Sequence, residues 1–340
     1  MNLALLIVSY LVLAVALVYL SDKLGNYIDL LDKKTKISGA FLGGVLLAAV
    51  TSLPELFTSI SATLLVHQKD LVVGNILGSN LFNLLVLGLC LVIFYRTFQR
   101  SKIEYKSHNF TFLGLAIIYT LICYGLFVPA QYQPVAGPIN FLCPISLVVY
   151  GLIIYFQPKE SNKEEEEKED DSPLTIKQIS IRFTICAVLL VAISIVITYV
   201  TDLLGKELNL SATVAGALFL AVATSLPELV SCISLCRRKN FNAAFGDILG
   251  SCLFNFCIIG ISEFLSWDGS LISQNNFDAN MMTILAVIVI ALIFVLLLIK
   301  RYVVEKKEEQ IDSSKFNWFS LVTIVTGLLS VAGYIIFLVI

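Results

Sequence analysis

Thr51-Ser52-Leu53-Pro54-Glu55-Leu56 occurs a second time, unchanged, as Thr224-Ser225-Leu226-Pro227-Glu228-Leu229. Each copy lies inside an apolar run, Phe41–Val66 and Thr213–Cys236, long enough to cross a bilayer. Each therefore sets a carboxylate where hydrocarbon would otherwise be, and an acid there is costly enough to imply a function. A second element follows each copy: Gly74-Asn75-Ile76-Leu77-Gly78-Ser79-Asn80-Leu81-Phe82-Asn83, then Gly246-Asp247-Ile248-Leu249-Gly250-Ser251-Cys252-Leu253-Phe254-Asn255. Glu55 and Glu228 are 173 residues apart, Ser79 and Ser251 172, so the chain reads as two copies of one unit.

The composition agrees with a bilayer as solvent. Of 340 residues, 58% are hydrophobic and 14% charged, whereas about a quarter are charged in a soluble domain. The expectation is a multi-pass protein of the plasma (cell inner) membrane. A net charge of −2 gives no case for nucleic acid, and no obligate protein partner or cofactor is evident. The eight cysteines lie almost all in apolar runs and read as small buried hydrophobes. His67 and His108 are the only histidines and fall at expected loop positions, which argues against zinc. The run 2–20 lacks a basic leader and a small-residue cleavage site, so it reads as a first membrane helix.

Apolar runs predict an all-α membrane protein with ten transmembrane helices, near 2–20, 40–66, 71–95, 110–128, 140–156, 181–200, 211–236, 241–265, 279–300 and 317–340. Five helices per repeat is an odd number, so the second copy enters from the opposite side and the repeats are inverted. Of 23 Lys and Arg, only Lys69 and Lys206 fall in even-numbered loops. The positive-inside rule then puts the odd loops in the cytoplasm and both termini on the non-cytoplasmic side. Residues 1–157 form the first repeat and 177–340 the second. Between them, 158–176 carries Glu164-Glu165-Glu166-Glu167-Lys168-Glu169-Asp170-Asp171 and Pro173. It reads as a solvated acidic cytoplasmic linker; a calcium-sensing role is the alternative, against which stands the missing Asp/Asn-plus-Gly pattern of an EF-hand loop.

Proline removes a backbone donor and pushes away the carbonyl four residues earlier, here Val50 and Ala223. Such freed groups are tolerated in a membrane where they line a wet cavity or find another partner. Beside them stand the hydroxyls of Thr51, Ser52, Thr224 and Ser225 and the carboxylates of Glu55 and Glu228. Ser79 with Asn83, and Ser251 with Asn255, share a helix face at i, i+4. The glycine pairs Gly74/Gly78 and Gly246/Gly250 allow close backbone approach. Folded together, these groups offer only oxygen-rich ligands, suited to Ca²⁺ or dehydrated Na⁺. Two Glu charges neutralise one Ca²⁺, so its exit leaves two buried charges unless other cations replace it.

These motifs resemble the two alpha repeats of the calcium/cation antiporter superfamily, in which sodium/calcium exchangers are best known. The resemblance implies that Glu55 and Glu228 are central metal ligands for Ca²⁺, shared with Na⁺. It implies that Thr51, Ser52, Ser79, Thr224, Ser225 and Ser251, with the backbone carbonyls of Ala48 and Ala221, complete the Ca²⁺ and Na⁺ sites. Asn83 and Asn255 would hold matching positions on the third and eighth helices. Alternating access is implied, the first and sixth helices sliding as a pair across the rest. Val50 and Ala223 stand where the family commonly has Gly, and Asn255 where many members have Asp, which argues against K⁺ co-transport. Asp247 faces its twin Asn75 as an acid: either a third charge in the pathway or a hydrogen-bonded group near a helix end.

The leading expectation is therefore an antiporter exchanging Ca²⁺ for Na⁺, without enzymatic chemistry. Ca²⁺/H⁺ exchange is the alternative, since both Glu side chains could release protons. An intramembrane hydrolase would need an Asp pair or metal-binding histidines, and a channel would carry passive current.

Overall fold

The computed structural model describes residues 3–34, 51–101, 103, 105–156, 174–237, 239–267, 269–272, 276–302 and 318–339. Ala48, Val50 and the body of the acidic linker lie outside them. The chain is nearly all helical: α1 Leu3–Lys34, α2 Leu53–Ser61 running into a π-helical turn Ala62–Val66, α3 Lys69–Ile93, α4 Tyr105–Phe127, α5 Leu142–Phe156, α6 Ile176–Glu207, α7 Ala212–Thr224, α8 Leu226–Arg237, α9 Phe241–Leu265, α10 Phe277–Lys300 and α11 Trp318–Val339. Among the described residues seven helices are long and apolar enough to span a membrane. The bent pair α7 and α8 makes an eighth, and α2 with its π turn and α5 are shorter apolar helices.

Several boundaries differ from the sequence expectation, for local reasons. At 32 residues each, α1 and α6 are about 48 Å long, beyond the roughly 30 Å of hydrocarbon. Lys23, Lys33 and Lys34, expected in the first loop, thus continue the helix. At the other end of the linker, Thr175 caps α6 in a capping box with Gln178, so the last residue assigned to the linker is helical. His108 lies inside α4, buried against Phe245 with ring centroids 5.9 Å apart, and not in a loop. The polar start of α4 hid it from a reading of apolar runs. An all-α fold also needs one correction: Val135–Ala136 pairs antiparallel with Ile139–Asn140 in a small hairpin. Gly137 at φ +61 supplies the left-handed turn residue this requires.

Buried apolar side chains concentrate on α3 and α9, which form the centre. The packing is reciprocal. α3 packs against α9, α10 and α11, and α9 packs against α4, α5 and α3. Each central helix thus packs against the two apolar helices that follow the other one in sequence. α1 and α6 lie against each other outside this core. Their outward faces are apolar, with Val12 and Val15 on α1 and Ile185 and Val188 on α6 exposed. Water would penalise such a surface; lipid accepts it. The cysteines are mostly buried as expected, but not all as isolated hydrophobes. The sulfurs of Cys90, Cys232 and Cys236 lie together between α3 and α8.

Candidate ion-binding site

In both copies of the repeated hexapeptide a helix begins directly after the serine, and in the second copy this separates α7 from α8. Ser52 adopts φ −89, ψ 10 and Ser225 φ −92, ψ 6, and a new helix begins at the next residue. α7 and α8 meet there at 49°. A proline kink within a continuous helix was the expectation. In the structure Pro54 and Pro227 instead occupy the first turn of α2 and α8, where the missing N–H has no intrahelical acceptor to lose. Glu55 and Glu228 follow in the same first turn, where unpaired N–H groups and the positive end of the helix dipole favour an anion.

The two copies interlock. Ser225 donates through Oγ to Glu55 Oε1 at 3.0 Å, and Ser52 donates through Oγ to Glu228 Oε1 at 3.3 Å. Both carboxylates and both serines are completely buried. Glu228 lies within electrostatic reach of Glu55. Among the described residues, the second oxygens, Glu55 Oε2 and Glu228 Oε2, accept no hydrogen bond, and Ser79 Oγ, Ser251 Oγ, Asn83 Oδ1 and Asn255 Oδ1 are likewise buried without a partner. Buried polar oxygen is costly unless something satisfies it. This donor set, two carboxylates with hydroxyl and amide oxygens and no nitrogen or sulfur ligand, suits a hard cation of the Ca²⁺ or Na⁺ kind.

The remaining expected ligands are placed less uniformly. Thr51 is buried directly before Ser52. Thr224 donates into its own helix, to Leu220 O at 3.0 Å and Ala221 O at 3.3 Å. The Ala221 carbonyl also accepts from the Ser225 amide at 3.0 Å, so it would exchange these contacts to reach an ion. Ala48 falls outside the described residues.

Glycine sets how closely α3 approaches α7. A Cβ on Gly74 would lie 2.0 Å from Thr213 O, and one on Gly78 2.5 Å from Ala217 Cα. Only glycine permits that approach. The counterpart contact is not seen at Gly246, whose added Cβ meets nothing within 4 Å among the described residues. Position 40, the counterpart of Thr213, lies outside them.

Three polar residues escaped the sequence reading or gain a role from the structure. Asn80 holds Asn255 in place, its Oδ1 accepting from Asn255 Nδ2 at 2.9 Å across the two halves. Asn75 ties α3 to α2, donating to Thr58 Oγ1 at 3.0 Å and Ser59 Oγ at 2.9 Å. Its twin Asp247 is buried seven residues into α9, next to Ser231 and within electrostatic reach of Glu228. Asp247 thus sets a further buried acid in the second turn of α9. A signal was available for all three, since each is polar within an apolar helix, but the partners were not.

Comparison with known proteins bears on the family and the fold. A family model described as Sodium/calcium exchanger protein matches residues 4–159 and 179–340. The chain is 26% identical over 261 residues to Inner membrane protein YrbG of Escherichia coli (strain K12), covering 75% of this chain and 77% of that protein. It is 25% identical over 303 residues to Sodium/calcium exchanger MaX1 of Methanosarcina acetivorans, covering 75% and 82%. Among solved structures, the H⁺/Ca²⁺ exchanger CAX matches with TM-score 0.65 at 14% identity, covering 98% of this chain and 89% of that one. The sodium-calcium exchanger NCX_Mj matches with TM-score 0.60 at 21% identity, covering 98% and 97%. These two share the fold. With a family model matched along both halves and paired, buried carboxylates between them, this chain is a multi-pass membrane antiporter that belongs to the sodium/calcium exchanger protein family.

Proposed function

We propose that the protein exchanges Ca²⁺ for Na⁺ by alternating access, at one site built between Glu55 and Glu228. The observation that carries this is the crossed Ser225–Glu55 and Ser52–Glu228 pairing, with each carboxylate keeping one oxygen unpartnered among the described residues. Glu55 and Glu228 supply the charge for Ca²⁺. Ser52, Ser225, Ser79 and Ser251 add hydroxyl oxygens, Asn83 and Asn255 add amide oxygens, and Thr51, Thr224 and the carbonyls of Ala48 and Ala221 serve the flanking Na⁺ positions. Removing Ca²⁺ alone would leave two like charges in low dielectric, so Ca²⁺ leaves when other cations arrive.

The architecture under this reading has ten spans. The two shorter helices and the bent α7–α8 pair each cross once, in two inverted repeats of five with both termini outside the cytoplasm. The acidic segment 158–176 is the cytoplasmic linker, and the host is the cell inner membrane. α1 and α6 slide together over the core. Their mutual packing and lipid-like outer faces support this.

Asp247 favours a second reading, Ca²⁺/H⁺ exchange, because an extra buried acid beside Glu228 offers a proton acceptor without a coordination shell. Radioactive Ca²⁺ uptake into proteoliposomes separates the two. Uptake driven by an outward Na⁺ gradient and abolished in Glu55→Gln and Glu228→Gln supports the first reading. Uptake driven only by a proton gradient replaces it with the second, and uptake that survives both substitutions overturns the site.

A further inference from the structure

Cys90, Cys232 and Cys236 are distant in sequence, but their three sulfurs all lie within 4.8 Å of one another, and Cys232 Sγ is 3.6 Å from Cys90 Sγ. Cys232 and Cys236 project from the same face of α8 at i, i+4, and Cys90 comes from α3. All three are buried. Metal–sulfur bonds of about 2.3 Å, spread in a plane, hold three sulfurs about 4 Å apart, which this cluster already approaches.

We propose that these three thiols form a binding site for a soft, thiophilic cation of the Cu⁺ class, separate from the oxygen-lined transport site. The ligand set is sulfur alone. Thiolate sulfur selects Cu⁺ over the hard ions, whereas carboxylate and hydroxyl oxygen select Ca²⁺ and Na⁺. The two sites therefore sort cations by hardness within one helix: Cys232 stands one turn after Glu228 on α8. On binding, S–H bonds break, the protons leave to water, and three Cu–S bonds form with no change of oxidation state. The cluster lies near the ends of two helices. Cys236 precedes the exposed Arg237 at the end of α8, and Cys90 lies three residues from the end of α3.

Occupancy would staple α8, which carries Glu228, to α3, which carries Ser79 and Asn83. The binding site stands on its own geometry; the stapling rests on the exchange reading above.

The test uses the full-length purified protein, kept anaerobic, with Cu⁺ supplied as its acetonitrile complex against the chelator bicinchoninate. Wild-type protein is expected to retain about one Cu⁺ per chain, with X-ray absorption giving about three sulfur neighbours at about 2.3 Å. Retained copper should fall by at least about tenfold in Cys90→Ser, Cys232→Ser and Cys236→Ser and stay unchanged in Cys186→Ser. Copper stripped from wild type by the chelator, fewer than three sulfur neighbours, or equal retention in the triple Ser variant would overturn the site. The sulfur count is read on wild type alone, so it holds even if a variant misfolds. In proteoliposomes, bound Cu⁺ should slow Ca²⁺ flux in wild type and not in Cys90→Ser. Copper bound with flux unchanged overturns the stapling, and no Ca²⁺ flux before copper is added overturns the exchange reading while leaving the copper site intact.

Discussion

Ser225 donates its hydroxyl proton to Glu55, 170 residues away in sequence, at 3.0 Å. The counterpart bond, Ser52 to Glu228, spans 176 residues at 3.3 Å. Each copy of the hexapeptide thus orients the acid of the other.

Substituting one acid removes half of the charge that a divalent ion meets. Stranding a buried charged partner costs about 3–5 kcal/mol, so Glu55→Gln and Glu228→Gln should each lower Ca²⁺ uptake by at least about 100-fold. Size-exclusion profiles should stay monodisperse. A variant that retains more than a tenth of wild-type uptake contradicts the assignment.

Ser52→Ala and Ser225→Ala each delete one hydrogen bond to a charged group, a loss of about 1.5–3 kcal/mol. Each should raise the Ca²⁺ concentration for half-maximal uptake by about 10- to 100-fold. The crossed geometry requires effects of similar size. One silent substitution beside one severe one would show that the pairing is not reciprocal in the working protein.

Asp247→Asn converts the second half to the chemistry of Asn75. With one buried negative charge fewer to balance, Na⁺-driven uptake should persist with a Hill coefficient for Na⁺ lower by about one. Parallel Na⁺ titrations of wild type and variant measure this, and identical slopes would place Asp247 outside the coupling.

Gly74→Ala would set a methyl carbon 2.0 Å from Thr213 O, against backbone that cannot yield as a side chain can. Overpacking of this kind costs about 1–3 kcal/mol or more. The thermal unfolding midpoint of the purified protein should fall, and an unchanged midpoint would mean that α3 and α7 are not in contact there.

Glu263 is a buried acid of another kind. Its Oε1 accepts from the Asn140 amide at 2.7 Å and its Oε2 from the Leu271 amide at 2.8 Å, tying two loops to the end of α9. Glu263→Gln keeps one acceptor oxygen and strands the other N–H, costing about 1–3 kcal/mol. Stability should drop while the apparent Ca²⁺ affinity of the folded fraction stays at the wild-type value. A shift in affinity would connect this acid to the transport site.

Much of the molecule was legible in the chain because hydrocarbon leaves few alternatives. The run read as 241–265 is observed as Phe241–Leu265, and the other described spans begin and end within a few residues of their apolar runs, apart from the long polar extensions of α1 and α6 and the early start of α4. The repeat named Glu55, Glu228 and their hydroxyl neighbours before any contact was known. What sequence could not supply was pairing across the halves. Nothing local says that Ser225 serves Glu55 more than Glu228, that Asn80 holds Asn255, or that Cys90 meets Cys232. Proline was misread for a related reason: its effect depends on whether the helix continues through it, which packing decides.

Asn80 accepts a hydrogen bond from Asn255, whereas its own repeat counterpart, Cys252 beside Asn83, sets a thiol where the amide stands, so the two bridges are unequal. Asn75 and Asp247 differ in the same way. Under the inverted-repeat reading, the two end states of the transport cycle are related by exchanging the halves, and perfect copies would make them equal in energy. These unmatched pairs break that degeneracy. The protein would then rest facing one compartment more often than the other even with equal ion concentrations, and its forward and reverse exchange would saturate at different concentrations.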